Sequence, residues 1–285
     1  MIEKIAVIGA GTMGHGIAQV SAAAGCDVVL IDTTPELVEC AVTRIRDNLD
    51  EAVRRGKQTE AGRGSILARV HTATDAAGAI DDRDAVIEAI PERMDIKTAL
   101  FQQIEPLVSS GCILASNTSS LSIDEMQRSL RRPQRLLGLH FFNPVHINKL
   151  VEIVRGSATA DATVVTATEF VRRLGKEPII VKDSPGFATS RLGVLLGLEA
   201  MRMLEEGIAS AEDIDKALEL GYRHPMGPLK LTDLVGLDVR LDIARYLHAK
   251  LGAEHFRPPR ILEDLVARGK LGKKSGEGFY TWDNE

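Results

Sequence analysis

The stretch GLHFFNPVHINKLVEI, residues 138–153, sets two histidines and a single carboxylate in largely apolar company. His140 closes the run RLLGLHF (135–141), and Glu152 lies twelve residues further on, inside KLVEIV (149–154). A carboxylate between valine and isoleucine on a strand is costly to bury unless it is paired. A neighbouring imidazole would satisfy it and fix which ring nitrogen carries the proton. The two would then form a proton-transfer dyad in which Glu152 holds the ring and His140 takes or gives the proton. Alternatively, His140 is a buried histidine bonded to a backbone carbonyl, with Glu152 reaching solvent at a sheet edge. A second polar cluster, ASNTSSLSI (115–123), ends another apolar run. Ser122 with Glu125 three residues on makes a helix capping box. That leaves Asn117, Ser119 and Ser120, and a hydroxyl among them could reach a substrate oxygen.

The N-terminal IGAGTMGHG places Gly9, Gly11 and Gly14 in a G-x-G-x-x-G pattern, with Thr12 and Met13 inside the turn. It follows the strand-like KIAVIG (4–9), opens a helix, and precedes DVVLID (27–32), which ends at Asp32. In that setting Gly9 makes the tight turn, Gly11 lets a pyrophosphate approach the backbone, and Gly14 lets helix pack on strand. The helix N-terminus supplies N–H donors and partial positive charge for phosphates. Asp32 can accept hydrogen bonds from both ribose hydroxyls and would repel a 2′-phosphate, so NAD is expected rather than NADP. A glycine turn kept for packing alone is the alternative. His15, just past the turn, is expected to face solvent or cofactor without a chemical role.

These residues need a scaffold, and the first half of the chain supplies one by alternation. Further apolar runs lie at 84–90, 112–117 and 177–182, with helical stretches at 35–56, 59–69, 95–109 and 161–174 between several of the strands. This pattern predicts a Rossmann-type, mostly parallel sheet covered on both faces. His140 then falls at the carboxyl edge of that sheet, where open α/β folds place their chemistry. After KDSPGF (182–187) the strand signals stop, and 187–206, 211–220, 228–251 and 259–268 show helical spacing. We therefore expect an α/β domain over 1–183, binding NAD, and an all-helical domain over 184–285.

The composition narrows the function. The 285 residues are 44% hydrophobic and 26% charged, with net charge −5 and no long basic run. Nucleic acid and an anionic membrane are not expected as partners, although a local basic patch can still serve an anionic small molecule. Cys26, Cys40 and Cys112 form no CxxC pair and are odd in number, which argues for a reducing compartment without disulfides or thiolate metal sites. No secretory pattern opens the chain, and no run reaches about 18 apolar residues. A cytoplasmic protein is expected. His71, His224, His248 and His255 show no metal-ligand spacing, and His146 reads as a surface residue after the turn.

Taken together, GAGTMGHGIAQ, EAIPERMDIK, ASNTSSLSI, GLHFFNPV with KLVEIVRG, KDSPGF, HPMGPLKLTDLVGLD and GKKSGEGFY resemble the L-3-hydroxyacyl-CoA dehydrogenase family, in order and over nearly the whole chain. The short single-function bacterial form, acting on 3-hydroxybutyryl-CoA, is the nearest type. The resemblance implies reversible, NAD-dependent interconversion of (S)-3-hydroxyacyl-CoA and 3-ketoacyl-CoA. It implies His140 as general base, Glu152 as its orienting partner, and Ser119 as the substrate-hydroxyl contact beside the nicotinamide. Glu92, Lys97, Asn117 and Asn143 match cofactor-contacting positions, and Lys274 matches a residue that reaches the cofactor region. Asn48, Arg54 and Arg55 resemble the stretch that meets the CoA phosphates. The two arginines would equally suit a solvated helix end, favoured by the dipole.

One position departs from the family's pattern. The family has Asn in PGFxxNR, contacting the substrate's carbonyl region, where this chain reads PGFATSR with Ser190. Two other readings are open: a related dehydrogenase of a non-CoA hydroxy acid such as a sugar acid, and a low-turnover NAD-binding structural or sensor protein. The resemblance further implies a homodimer formed through the helical domain, and the apolar VLLGLEAM (194–201) fits either that interface or core packing.

Overall fold

The structure is a computed structural model that describes residues 1–282. Two compact units follow one another, Met1–Ser184 and a second beginning at Pro185. In the first, elements run β1 (Lys4–Ile8), α1 (Gly14–Ala23), β2 (Asp27–Ile31), α2 (Pro35–Arg54), α3 (Glu60–Leu67), β3 (Val70–Ala73), β4 (Ala85–Glu88), α4 (Met94–Ile104), β5 (Ile113–Ser116), α5 (Ile123–Gln127), β6 (Leu136–Phe141), β7 (Leu150–Arg155), α6 (Asp161–Arg173) and β8 (Glu177–Lys182). They build one eight-stranded sheet in the order β3-β2-β1-β4-β5-β6-β7-β8.

The central strands are unbroken apolar runs because a parallel sheet with helices on both faces has no wet side. Ile5, Val7, Val28, Leu30, Ile87 and Leu114 are all closed to solvent. Helix α2 starts where Thr34 accepts a hydrogen bond from the Leu37 amide and Pro35 takes the first helical position. It presents Val38, Ala41, Ile45 and Leu49 to the core. The cap expected at Ser122 also forms, its hydroxyl accepting from the Glu125 amide at 3.2 Å. Strand β3 was not legible in the sequence: VHTA is polar, short and half exposed on the sheet edge.

The pairing reverses between β6 and β7, which run antiparallel, while β8 is again parallel to β7. This reversal matters for the chemistry. A parallel neighbour would need a crossover of a dozen or more residues, whereas the short return through 142–149 sets His140 directly opposite Glu152 in the register.

The second unit contains α7 (Thr189–Glu205), α8 (Ala211–Lys216), α9 (Pro228–Val235), α10 (Leu237–Leu251) and α11 (Arg260–Ala267). The stretch 228–251, expected as one helical segment, is two helices. Gly236 separates them with φ +103°, a conformation that side-chain-bearing residues rarely adopt. Val194, Leu198 and Met201 of α7 join Leu229, Leu241, Leu247 and Phe256 in the core, so most of VLLGLEAM packs within its own unit. The tail is clamped by Asp233, whose carboxylate accepts from the Phe279 and Tyr280 amides and from Trp282 Nε1 at 2.8–2.9 Å. Among the described residues, no helix is long and apolar enough to cross a membrane.

Candidate active site

His140, the last residue but one of β6, has its Nδ1 2.7 Å from Glu152 Oε2, and both side chains are buried. An ionised carboxylate only accepts hydrogen bonds, so Nδ1–H donates and Nε2 is the nitrogen suited to exchange a proton with a bound group. The ring stacks at a tilt on Phe142, centroids 4.3 Å apart. The strand return that carries Phe142 and Asn143 is braced from within. Asn148 Nδ2 donates to the Asn143 carbonyl at 2.8 Å, and the buried Lys176 ammonium donates to the carbonyls of Val145 and Asn148 at 2.6 and 2.7 Å. Burial pushes the Lys176 pKa below its ordinary value.

Three strand ends converge on this point. Asn117, leaving β5, accepts from the Phe141 amide through Oδ1 at 2.9 Å, which ties the exits of β5 and β6 together. Glu92, after β4, takes the Thr118 hydroxyl at 2.6 Å, the Ser119 amide at 2.8 Å and the Ser119 hydroxyl at 3.2 Å on a single oxygen. A cavity of about 340 Å³ is lined by Met13, Glu92, Asn117, Ser119, His140 and Asn143, among others. Sequence reasoning named each of these six, and the fold assembles them.

Met13, Ala89 and Ile90 also line a larger cleft of about 760 Å³ that runs past Gly9, Gly11 and Thr12 to Asp32. Its geometry suits a dinucleotide. A Cβ on Gly14 would stand 1.7 Å from the Gly9 carbonyl oxygen, and one on Gly9 2.6 Å from that of Ala89, so strand, turn and helix approach too closely for side chains. A Cβ on Gly11 would meet nothing within 4 Å, which leaves open space over the turn. The amides of Gly11, Thr12 and Met13 have no acceptor among the described residues. Helix α1 has neither a side-chain cap nor an acidic residue in its first turn, so its positive end stays available for phosphate. Asp32 accepts from the Ala10 amide at 2.6 Å and the Thr33 amide at 2.7 Å. These bonds fix the carboxylate and leave lone pairs for ribose hydroxyls.

The remaining expected residues have surroundings of their own. Lys97 does not line the cavity; its side chain is fully buried, with the ammonium 2.8 Å from each oxygen of Glu88 and 3.3 Å from Glu92 Oε2. The physical reason is that a lysine on the inner face of α4 meets a carboxylate on β4 before it meets open space. Lys274 is held by Asp238 at 2.5 and 2.6 Å within the helical unit, where Ser190 stands in the first turn of α7. Asn48 and Arg55 line a third cleft, of about 610 Å³, beside Gln19, Lys57, Gln58 and Arg173. Arg54 is not among its lining residues: it is exposed and paired with Glu51. Lys57, Arg173, Thr118 and Lys176 went unnamed in the sequence. Lys57 carried a local signal in the basic RRGK run, as did Arg173 and Lys176 in RRLGK.

An open α/β sheet with a glycine turn, an acidic residue closing β2, and a buried imidazole–carboxylate dyad at the adjoining cavity is the apparatus of a dinucleotide-dependent dehydrogenase. Comparison with known proteins gives the family. Residues 4–184 match the model of the 3-hydroxyacyl-CoA dehydrogenase NAD binding domain, and residues 186–282 match that of the 3-hydroxyacyl-CoA dehydrogenase C-terminal domain. A probable 3-hydroxybutyryl-CoA dehydrogenase of Bacillus subtilis is 42% identical over 284 residues, covering 100% of this chain and 99% of the relative. The mitochondrial hydroxyacyl-coenzyme A dehydrogenase of Sus scrofa is 40% identical over 289 residues, covering 99% and 92%. The crystal structure of an (S)-3-hydroxybutyryl-CoA dehydrogenase from Ralstonia eutropha superposes with a TM-score of 0.97 at 40% identity, covering 100% of both chains. The chain belongs to the 3-hydroxyacyl-CoA dehydrogenase family, and its cofactor is NAD.

Proposed function

We propose that this chain interconverts (S)-3-hydroxyacyl-CoA and 3-ketoacyl-CoA reversibly with NAD, acting foremost on the short-chain 3-hydroxybutyryl-CoA. The observation that carries this reading is the 2.7 Å His140–Glu152 contact at a cavity that shares lining residues with the dinucleotide cleft. Bound NAD supplies hydride acceptance, and NADH the reverse. The protein's own part is proton transfer and positioning. In oxidation, neutral His140 takes the proton of the C3 hydroxyl, and Glu152 stabilises the imidazolium that results. In reduction, protonated His140 donates to the ketone oxygen. Glu92 holds Ser119 in place through its amide at 2.8 Å, and the Ser119 hydroxyl turns from Glu92 to donate to the same substrate oxygen.

Asn48 and Arg55, joined by Lys57 in their cleft, suit the phosphates of the CoA moiety, because the two cations favour phosphate oxygens. Ser190 takes the place of the family's asparagine toward the substrate carbonyl. Lys274 is assigned to the cofactor by its match to the family's motif. The test is initial-rate oxidation of NADH with acetoacetyl-CoA, longer 3-ketoacyl-CoA thioesters and free acetoacetate. Turnover of the thioesters with preference for the shortest supports the reading. Equal rates on the free acid point to a non-CoA hydroxy acid, and NADH binding without turnover to a sensor.

The same reading makes the enzyme a cytoplasmic homodimer. Leu192 and Leu196 of α7, Leu231, Leu234 and Val235 of α9, and Val239 of α10 are large, apolar and exposed. Arg240, next to Val239, is buried against Gly193 and Gly197, and its Nε has no hydrogen-bond partner among the described residues. A buried N–H without an acceptor is costly, and a second copy seated on this face would supply one. Sedimentation of wild type against Leu196→Asp tests it: a dimer converted to monomer supports the assignment, and a wild-type monomer refutes it.

A further inference from the structure

A second buried carboxylate stands in an apolar strand, and the proton-transfer dyad makes no use of it. Glu88 ends β4 fully closed to solvent, opposite Ser116 of β5 in the sheet register. Its two oxygens take the Lys97 ammonium at 2.8 Å each; one also accepts from the Ser116 hydroxyl and the other from the Ile90 amide at 3.2 Å. Lys97, arriving from α4, donates as well to the Ile90 carbonyl at 3.3 Å and lies 3.3 Å from Glu92 Oε2. Glu92 then divides its oxygens: Oε2 faces Lys97, while Oε1 holds Thr118 and Ser119.

Two carboxylates and one ammonium thus clamp the exit of β5, Glu88 at Ser116 and Glu92 at Thr118 and Ser119. Between them they also pin Ala89 and Ile90, which line both the dinucleotide cleft and the cavity at His140. A buried ion pair of this kind is seldom worth more to stability than a well-packed apolar pair of the same volume. Its geometric effect is specific, however, because one ammonium shared by two carboxylates sets how far each is drawn toward it.

Resting on the dehydrogenase reading above, we propose that Glu88 is a positioning residue: it holds Lys97 back from Glu92, so that Glu92 keeps Ser119 in place, through its amide, with the hydroxyl within reach of the substrate oxygen, and the 89–90 segment keeps its place against the cofactor. With Glu88 neutral, Lys97 moves onto Glu92 as its one remaining carboxylate partner. Glu92 turns toward the ammonium, and Ser119 loses its orienting acceptor. Glu88 acts through Lys97 and touches neither substrate nor cofactor.

The test compares wild type, Glu88→Gln and the double variant Glu88→Gln/Lys97→Met. Three quantities are read: kcat and KM with acetoacetyl-CoA, the NADH dissociation constant by fluorescence, and the melting temperature. We expect Glu88→Gln to fold as wild type does, since it removes a buried charge and keeps the shape. Its kcat should fall about tenfold to a hundredfold, the scale of a misplaced reacting group, with the thioester KM little changed and NADH bound more weakly. The double variant should lose no more than Glu88→Gln, within about twofold, because the two residues act in one chain of contacts. Wild-type kcat and NADH affinity in Glu88→Gln overturn the proposal, and so does a multiplicative loss in the double variant. Should Glu88→Gln alone not fold, the charge-free double variant carries the test by the same two readouts. A wild type that binds NADH but leaves acetoacetyl-CoA untouched refutes the functional reading, and the NADH affinity of Glu88→Gln against wild type still decides the positioning role.

Discussion

Replacing Glu152 by glutamine keeps the side chain's shape and removes its charge. The carboxylate oxygen lies 2.7 Å from His140 Nδ1 and is closed to solvent. Two unit charges about 4 Å apart attract by roughly 4 kcal/mol at the effective dielectric suited to protein sites. The imidazolium, which exists only once the hydroxyl proton has been taken, gains this attraction, and the neutral ring does not. An amide dipole recovers part of it, so the proton-accepting step loses about 3 kcal/mol, or about a hundredfold in kcat at 1.36 kcal/mol per decade. Glutamine can also present its N–H₂ to Nδ1, which would select the tautomer with the proton already on Nε2, a ring unable to act as base there. Initial rates of NADH formation from 3-hydroxybutyryl-CoA should therefore fall by about a hundredfold or more. NADH affinity should stay near wild type. The melting temperature should not drop, because a desolvated carboxylate has been neutralised without changing volume. A variant whose kcat stays within about threefold of wild type would refute the reasoning, since the lost charge interaction would then be worth under 1 kcal/mol.

Three further outcomes follow from particular side chains. Burial pushes the Cys112 thiol up to about 12 and raises that of Cys26 as well, while Cys40 is exposed. A thiol of that pKa is thiolate in roughly one molecule in ten thousand near pH 8, so titration with a thiol reagent should count one reactive cysteine in the native protein and three in denaturant. Ser190→Asn should raise kcat, by up to about a hundredfold if the longer amide aims a donor at developing charge, and steady-state kinetics on short thioesters would show it. Arg55→Glu should raise the KM for acyl-CoA with kcat and NADH affinity unchanged, since Arg55 lines the third cleft and not the cavity at His140; a parallel fall in kcat would contradict that placement.

Much of the site was legible because burial makes charged residues conspicuous. Glu152 stood between valine and isoleucine, and that alone called for a partner twelve residues away. Glu88 in AVIEAI is a carboxylate in an apolar run for the same reason and needs a partner, and the structure supplies it as Lys97. The glycine turn and Asp32 were readable because strand, turn and helix follow one another locally. Strand β3 was not, since an edge strand of four residues with a polar face carries no apolar run. Nor was the break at Gly236, where helical spacing continues on either side and only the backbone's positive φ divides α9 from α10. Arg54 and Arg55 were indistinguishable neighbours in the sequence; both are exposed and paired with Glu51, and of the two Arg55 lines the cleft. Lys176 and Thr118 act on backbone and loop geometry that has no signature in a single sequence.

The most direct test of the central claim, that the imidazole at position 140 carries the proton, is a comparison of wild type and His140→Ala for single-turnover reduction of acetoacetyl-CoA by enzyme saturated with NADH. General acid–base catalysis by one side chain is worth about 10²–10⁴-fold. A loss within that range, with NADH bound as tightly as in wild type, is the expected result. A variant that reduces the thioester at close to the wild-type rate would show that the proton comes from another group.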